Sequence, residues 1–253
     1  MNSTDEKLAK SLTADSVELI PYLPYLLQDV WELGSSPRDI AEMIRKHIPE
    51  PGKKKVLDLA CGKGAVSIHL AKAFGCRVKG IDMMGEFIAE AREKAAEYST
   101  APLCDFATGD VKEAVDREKD YDLVIFGAAR DILGSPGETI SALKKTITEK
   151  GYLIIDDAYG NEGAGSDYYT KDQWRRFFKE SGVVLLAEKT MDPGELKALN
   201  RKQQACIVKR AEELKKKHRE KSHLFESYIK CQQAECDELE NQITGVTMLL
   251  QAQ

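Results

Sequence analysis

Asp58, Gly62 and Gly64 are spaced to hold a small polar ligand against bare backbone. Residues 56–65 read Val-Leu-Asp-Leu-Ala-Cys-Gly-Lys-Gly-Ala, an apolar strand running into a turn and then a helix. Glycine has no Cβ, so the backbone can approach a bound group, and the N–H groups of the first helical turn point at it. Asp82 and Asp110 each end a later apolar run, so a carboxylate closes three strands. Gly62-Lys63-Gly64-Ala65-Val66-Ser67 also matches a degenerate GxGxxG with Asp82 about twenty residues on, which leaves a dinucleotide site open. Against that reading, Asp58 lies within the strand end and the exposed backbone comes earlier than dinucleotide spacing prefers.

Positioning these residues takes a parallel sheet. Leucine-rich or β-branched runs at residues 55–59, 76–81, 103–108, 121–126, 151–155 and 182–188 alternate with amphipathic stretches at 65–74, 85–98, 137–149 and 171–180. These spacings suit right-handed βαβ units, with strands covered on both faces in a doubly wound α/β fold. Upstream, a helix start is read at Thr13 or Asp15, Pro21 and Pro24 reset it, and Tyr22, Tyr25, Leu26, Val30 and Trp31 make one apolar face. A second helix takes Ser36 as cap and Pro37 as first residue, and ends before the Pro/Gly cluster of residues 49–52. No Gly or Pro occurs from residue 195 to 244, and Ile207, Ala211, Leu214, His218, Phe225, Tyr228, Leu239 and Ile243 recur at three- and four-residue steps. That is a helical seam, and a straight helix of ~70 Å would outrun the domain, so a break is expected near residues 221–222. Residues 244–250 read as a last strand.

The ordered motifs at residues 56–65, Gly80-Ile81-Asp82-Met83, Thr108-Gly109-Asp110-Val111, 121–126 and 151–156 resemble those of class I S-adenosylmethionine-dependent methyltransferases. The resemblance covers roughly residues 50–190, with Ala60 where the family often has its first glycine. It implies a Rossmann-like seven-stranded sheet whose last strand is antiparallel, and S-adenosyl-L-methionine as cofactor. Residues 194–243 then become a helical insertion between strands six and seven. The implied divisions are an N-terminal helical lid at 1–50, a cofactor-binding core at 51–193, the insertion at 194–243 and the final strand at 244–253. By this resemblance Asp58, Ala60, Cys61, Gly62 and Gly64 hold the methionine end, and Asp82 accepts from both ribose hydroxyls. Met83 packs on the adenine, Asp110 and Val111 read its edge, and Phe126 and Gly127 line the remaining wall.

The acceptor is written more faintly. Carboxylates and a phenol near the ends of strands four and five are the base candidates, namely Asp156, Asp157 and Tyr159. Asp131 stands in the same set, while Arg130 cannot lose its proton and is read as binding an acidic substrate group. Tyr22, Tyr25, Trp31, Asp157 and Tyr159 are the other expected substrate contacts. Asp156 and Asp157 point to opposite faces of a strand, so no metal is expected. The Asn-Pro-Pro-Tyr of base-amino methylation is absent after strand four, which leaves a small-molecule acceptor, with an amine favoured by carboxylates and tyrosines. The alternative is a non-catalytic cofactor-binding partner or regulatory subunit. The insertion is expected either to roof the substrate pocket or to serve as a homodimerisation arm. A formal charge of −5 with mixed signs disfavours nucleic acid. Six cysteines without a CxxC pair suggest a reduced, cytoplasmic protein, and no leader or membrane span is read.

Overall fold

The computed structural model describes residues 3–127, 129, 132–160 and 168–253. Its elements begin with α1 (Ser3–Ser11), α2 (Leu23–Leu26) and α3 (Pro37–His47). The alternating series follows as β1 (Lys55–Leu59), α4 (Ala65–Phe74), β2 (Arg77–Asp82), α5 (Gly85–Glu97), β3 (Cys104–Thr108), α6 (Val111–Arg117), β4 (Tyr121–Phe126) and α7 (Pro136–Lys144). Then come β5 (Ile147–Gly160), α8 (Lys171–Glu180), β6 (Val183–Thr190), α9 (Pro193–Lys217), α10 (Ser222–Asn241) and β7 (Ile243–Ala252). Two compact units result: Glu32–Tyr159, Tyr169–Thr190 and Gly245–Gln253 in one, and the chain up to Trp31, Gly160, Tyr168 and Met191–Thr244 in the other.

The first unit is a seven-stranded sheet in the order β3-β2-β1-β4-β5-β7-β6. β1 pairs parallel with β2 and β4, while β7 runs antiparallel to β6 from Val183↔Ala252 to Thr190↔Val246. Alternating side chains divide the core. Leu57, Leu59, Ile81, Val124, Leu153 and Ile155 pack in a cluster with Ile140, Trp174 and Phe178 of α7 and α8, while Val56, Val78, Leu123, Ile125 and Ile154 pack with Ile40, Ile44 and Leu70 of α3 and α4. Burial on both faces explains why these strands read as apolar runs. The strand order reverses between β1 and β4, and such a reversal leaves a crevice at the carboxyl ends of the strands.

In the second unit α9 and α10 form a hairpin broken at His218 and a 3-10 turn, Arg219–Lys221. Ile207, Ala211, Leu214, Phe225 and Tyr228 are buried. The N-terminal segment is tied to the hairpin by Arg210, which donates to both oxygens of Asp29 at 2.7 and 2.8 Å, and by the Tyr25 hydroxyl, which donates to Glu213 at 2.6 Å. Tyr228 donates to the Leu12 carbonyl at 3.2 Å. Among the described residues no helix is long and apolar enough to cross a membrane.

Several expected boundaries move. No helix starts at Thr13 or Asp15: Thr13 takes φ +59°, which stops α1, and a 3-10 turn, Val17–Tyr22, follows. The expected N-terminal segment 1–50 divides at Trp31, and α3 belongs with the sheet, where its Ile40 and Ile44 are core residues. The helix read at 137–149 ends at Lys144 because the Thr146 hydroxyl caps the Leu143 carbonyl at 2.7 Å, and β-branched Ile147 and Thr148 begin β5. Helix α6 is too short to show a period and was not anticipated.

Candidate functional site

The turn after β1 is held in an unusual backbone. Ala60, Gly62 and Gly64 have φ of +56°, +53° and +72°, the left-handed region that costs a residue with a Cβ on the order of 1 kcal/mol. Gly64 must remain bare, since a Cβ there would lie 2.7 Å from Phe106 Cζ. Cys61 N–H donates to the Ile81 carbonyl at 3.1 Å, and Gly64 N–H to the Cys61 carbonyl at 2.9 Å. Asp82, at the end of β2, clamps the turn: Gly62 N–H donates to Oδ2 at 2.8 Å and Met84 N–H to Oδ1 at 2.9 Å. Each carboxylate oxygen accepts more than one hydrogen bond, so capacity remains for a vicinal diol. Burial pushes Asp82 up, opposed by these backbone donors.

Two more acids belong to the same edge, Asp58 buried and Asp156 half-buried. Asp58 Oδ2 accepts from the Ser67 hydroxyl of α4 at 2.6 Å, and desolvation pushes its carboxyl up to about 7, with Ser67 opposing and Asp82 and Asp156 adding. Asp156 Oδ1 accepts from the Thr247 hydroxyl of β7; burial pushes this carboxyl up too, while the Ser35 and Thr247 hydroxyls oppose the shift. Its Oδ2 is buried and has no hydrogen-bond partner among the described residues. A Cβ on Gly127 would collide with the Ser35 hydroxyl and lie 3.7 Å from Asp156 Oδ2. The hydrogen bonds to these three acids come from hydroxyls and backbone N–H groups, with no ion pair among the described residues. Lys63, itself buried, reaches Glu90 of α5 at 2.9 Å.

The remaining expected residues are placed as follows. Met83 is half-buried at the end of β2, and Val111 opens α6, where backbone N–H groups have no intrahelical acceptor. Asp110 caps α6, with Oδ1 accepting from Lys112 N–H at 2.8 Å. The Cys61 thiol is pushed well up by burial and by Asp58 and Asp82. Asp157 is half-buried, and its Oδ1 accepts from Ala158 N–H at 2.7 Å. Arg130 and Asp131 lie outside the described residues.

Several of the expected contacts are otherwise engaged. Phe126, the last residue of β4, is buried and belongs to the core cluster that holds Leu57, Val124 and Ile155. Tyr159, an expected base and substrate contact, is buried, its hydroxyl donates to Glu188 at 2.9 Å, and burial and that carboxylate push it up from its ordinary value. Tyr25 spends its hydroxyl on Glu213 while Arg210 and Lys217 lie 5.7 and 5.3 Å from its ring centroid. Tyr22 packs edge-on against Phe225 and His218, and Trp31 is half-buried in the same helical unit. Ser35, Ser67 and Thr247 were missed as site residues. Hydroxyls carry no spacing signal, and residues 35–36 read only as a helix start.

The sequence profile of a methyltransferase domain matches residues 51–244. Over 150 residues the chain is 27% identical to an uncharacterized protein of Haemophilus influenzae, covering 51% of this chain and 58% of that one. Over 149 residues it is 28% identical to the ubiquinone biosynthesis O-methyltransferase of Shewanella halifaxensis, covering 54% and 62%. The chain spans about half the length of the curated relatives it matches. A SAM-dependent methyltransferase from Thiobacillus denitrificans, solved with S-adenosyl-L-homocysteine, shares the fold at a TM-score of 0.74 and 16% identity, over 92% of this chain and 98% of that one.

Proposed function

Since the chain belongs to the class I methyltransferase-domain family, matched over residues 51–244, we propose that it is an S-adenosylmethionine-dependent methyltransferase acting on a small-molecule amine. The observation that carries this reading is the left-handed turn of Ala60, Gly62 and Gly64 locked to Asp82, with buried Asp58 and half-buried Asp156 nearby and, among the described residues, no cation paired to any of the three acids. Burying acidic groups without a counter-charge is unfavourable, and a cationic ligand relieves it. S-adenosylmethionine, when bound, supplies an electrophilic methyl group on a sulfonium and also carries an ammonium.

The chain's own residues have defined tasks. Asp82 accepts from a ribose diol with the capacity its two backbone donors leave, and the Gly62–Gly64 turn leaves room for the body of the ligand. Met83 and the start of α6 flank the base, with Asp110 fixing that helix end. In-line displacement needs chiefly positioning and exclusion of water, so no covalent step is assigned to a side chain. Half-buried Asp157, in the last part of β5, supports an acceptor that arrives as a cation and gives up a proton to solvent or to a carboxylate before its nitrogen lone pair attacks the methyl group.

Calorimetry with S-adenosylmethionine, then transfer of a labelled methyl group to pools of small amines, phenols and thiols, tests the reading. Label entering the amine pool is the expected result. Label confined to phenols or thiols overturns the amine, and tight NAD binding in place of S-adenosylmethionine overturns the cofactor.

A further inference from the structure

We propose that Asp156, with the Ser35 and Thr247 hydroxyls, forms a subsite for the ammonium group at the methionine end of the cofactor, an inference that rests on the cofactor reading above. Asp156 Oδ2 is a buried carboxylate oxygen without a hydrogen-bond partner among the described residues, a state native proteins rarely leave uncompensated. It faces the notch at Gly127, the residue that follows β4. β4 lies beside β1 at the reversal of strand order, so Gly127 follows the strand next to the one that leads into the glycine turn. The strap of residues 33–35 covers both places: Leu33 Cδ1 stands 3.3 Å from a Cβ built on Gly62, and the Ser35 hydroxyl fills the space of a side chain at Gly127.

The charges around the notch call for a cation. Asp58 senses both Asp82 and Asp156, and hydroxyls are the hydrogen-bonding side chains against Asp156. Asp39, which also raises Asp156, is already paired with Lys189 at 2.7 Å. An ammonium brings three donors, which match one orphan carboxylate oxygen and two hydroxyls able to turn as acceptors.

The test compares three ligands by calorimetry on wild type and Asp156→Asn: S-adenosylmethionine, S-adenosylhomocysteine, and 5′-methylthioadenosine, which lacks the amino-acid end. The substitution is expected to weaken the first two by about tenfold or more and to leave methylthioadenosine within about twofold. Unchanged affinity for S-adenosylhomocysteine, which keeps the ammonium without the sulfonium, overturns the subsite. An equal loss for methylthioadenosine overturns it as well. If Asp156→Asn does not fold, Ser35→Ala and Thr247→Val carry the same comparison, with losses of about threefold confined to the two ligands that bear an ammonium. A wild-type protein that binds none of the three overturns the cofactor reading instead.

Discussion

Asp58 shows how one buried group couples the site to solution. Its carboxyl sits at about 7 in the fold against an ordinary 3.8, with desolvation as the largest cause. The folded chain therefore keeps a proton that the unfolded chain has released between those values, and the ligand-free protein gains stability as pH falls from about 7 towards 4. Asp58→Asn should flatten that slope, read by urea unfolding at about pH 5 and about pH 8. A wild-type slope equal to that of the variant would refute the assignment. Gly64→Ala tests the turn itself. Both the φ of +72° and the Phe106 ring oppose a Cβ, so a loss on the order of 2–4 kcal/mol is expected, with S-adenosylhomocysteine binding lost too. Residues of this kind were legible because a left-handed turn demands glycine and a strand end demands spacing. The hydroxyl partners of Asp58 and Asp156 were not, because serine and threonine serve equally as caps, turns and core donors.

At the scale of elements, what could be read was what repeats. β1, β4 and β6 are apolar runs between helices of crossover length, and they were legible within one or two residues. α6 spans only seven residues, too few for a helical period to stand out. The start of β5 was hidden because Lys150 takes φ +62° and its register with β4 shifts between Tyr121 and Leu123, interrupting the alternation a reader looks for. Tyr159 lies deeper than expected for a related reason. β5 continues to Gly160, which keeps this tyrosine in a strand facing Glu188 rather than in an edge loop. The α9–α10 seam allows a direct test. Phe225 is fully buried, and Phe225→Ala should destabilise the protein by about 3–5 kcal/mol, whereas exposed Lys216→Ala should stay within about 0.5 kcal/mol. Thermal and chemical unfolding of the two variants decide this, and similar small effects would mean that the seam does not carry the hairpin.

At the scale of the whole molecule, the seam expected to roof a pocket or join two chains is already covered within one chain. Ile207, Ala211, Leu214, Phe225 and Tyr228 are buried, and among the described residues Tyr169 and Val184 are the exposed large hydrophobics. Those side chains are spent inside the chain, so a dimer seen by light scattering at micromolar concentration would use a face other than this seam, and Phe225→Ala should leave its mass unchanged while the fold holds. The division into two units also cuts the N-terminal segment at Trp31, between the tyrosines tied to the hairpin and the strap that reaches Gly62 and Gly127. The strap carries a consequence for variation. The Ser35 hydroxyl occupies the volume that a side chain at position 127 would need, so the two positions share one space and cannot enlarge independently. Gly127→Ala alone should lower the unfolding midpoint, and Ser35→Gly in the same chain should recover it, without recovering the hydroxyl's share of cofactor binding. Substitutions at these two sites are thus expected to be tolerated as a pair, a form of epistasis written into the packing.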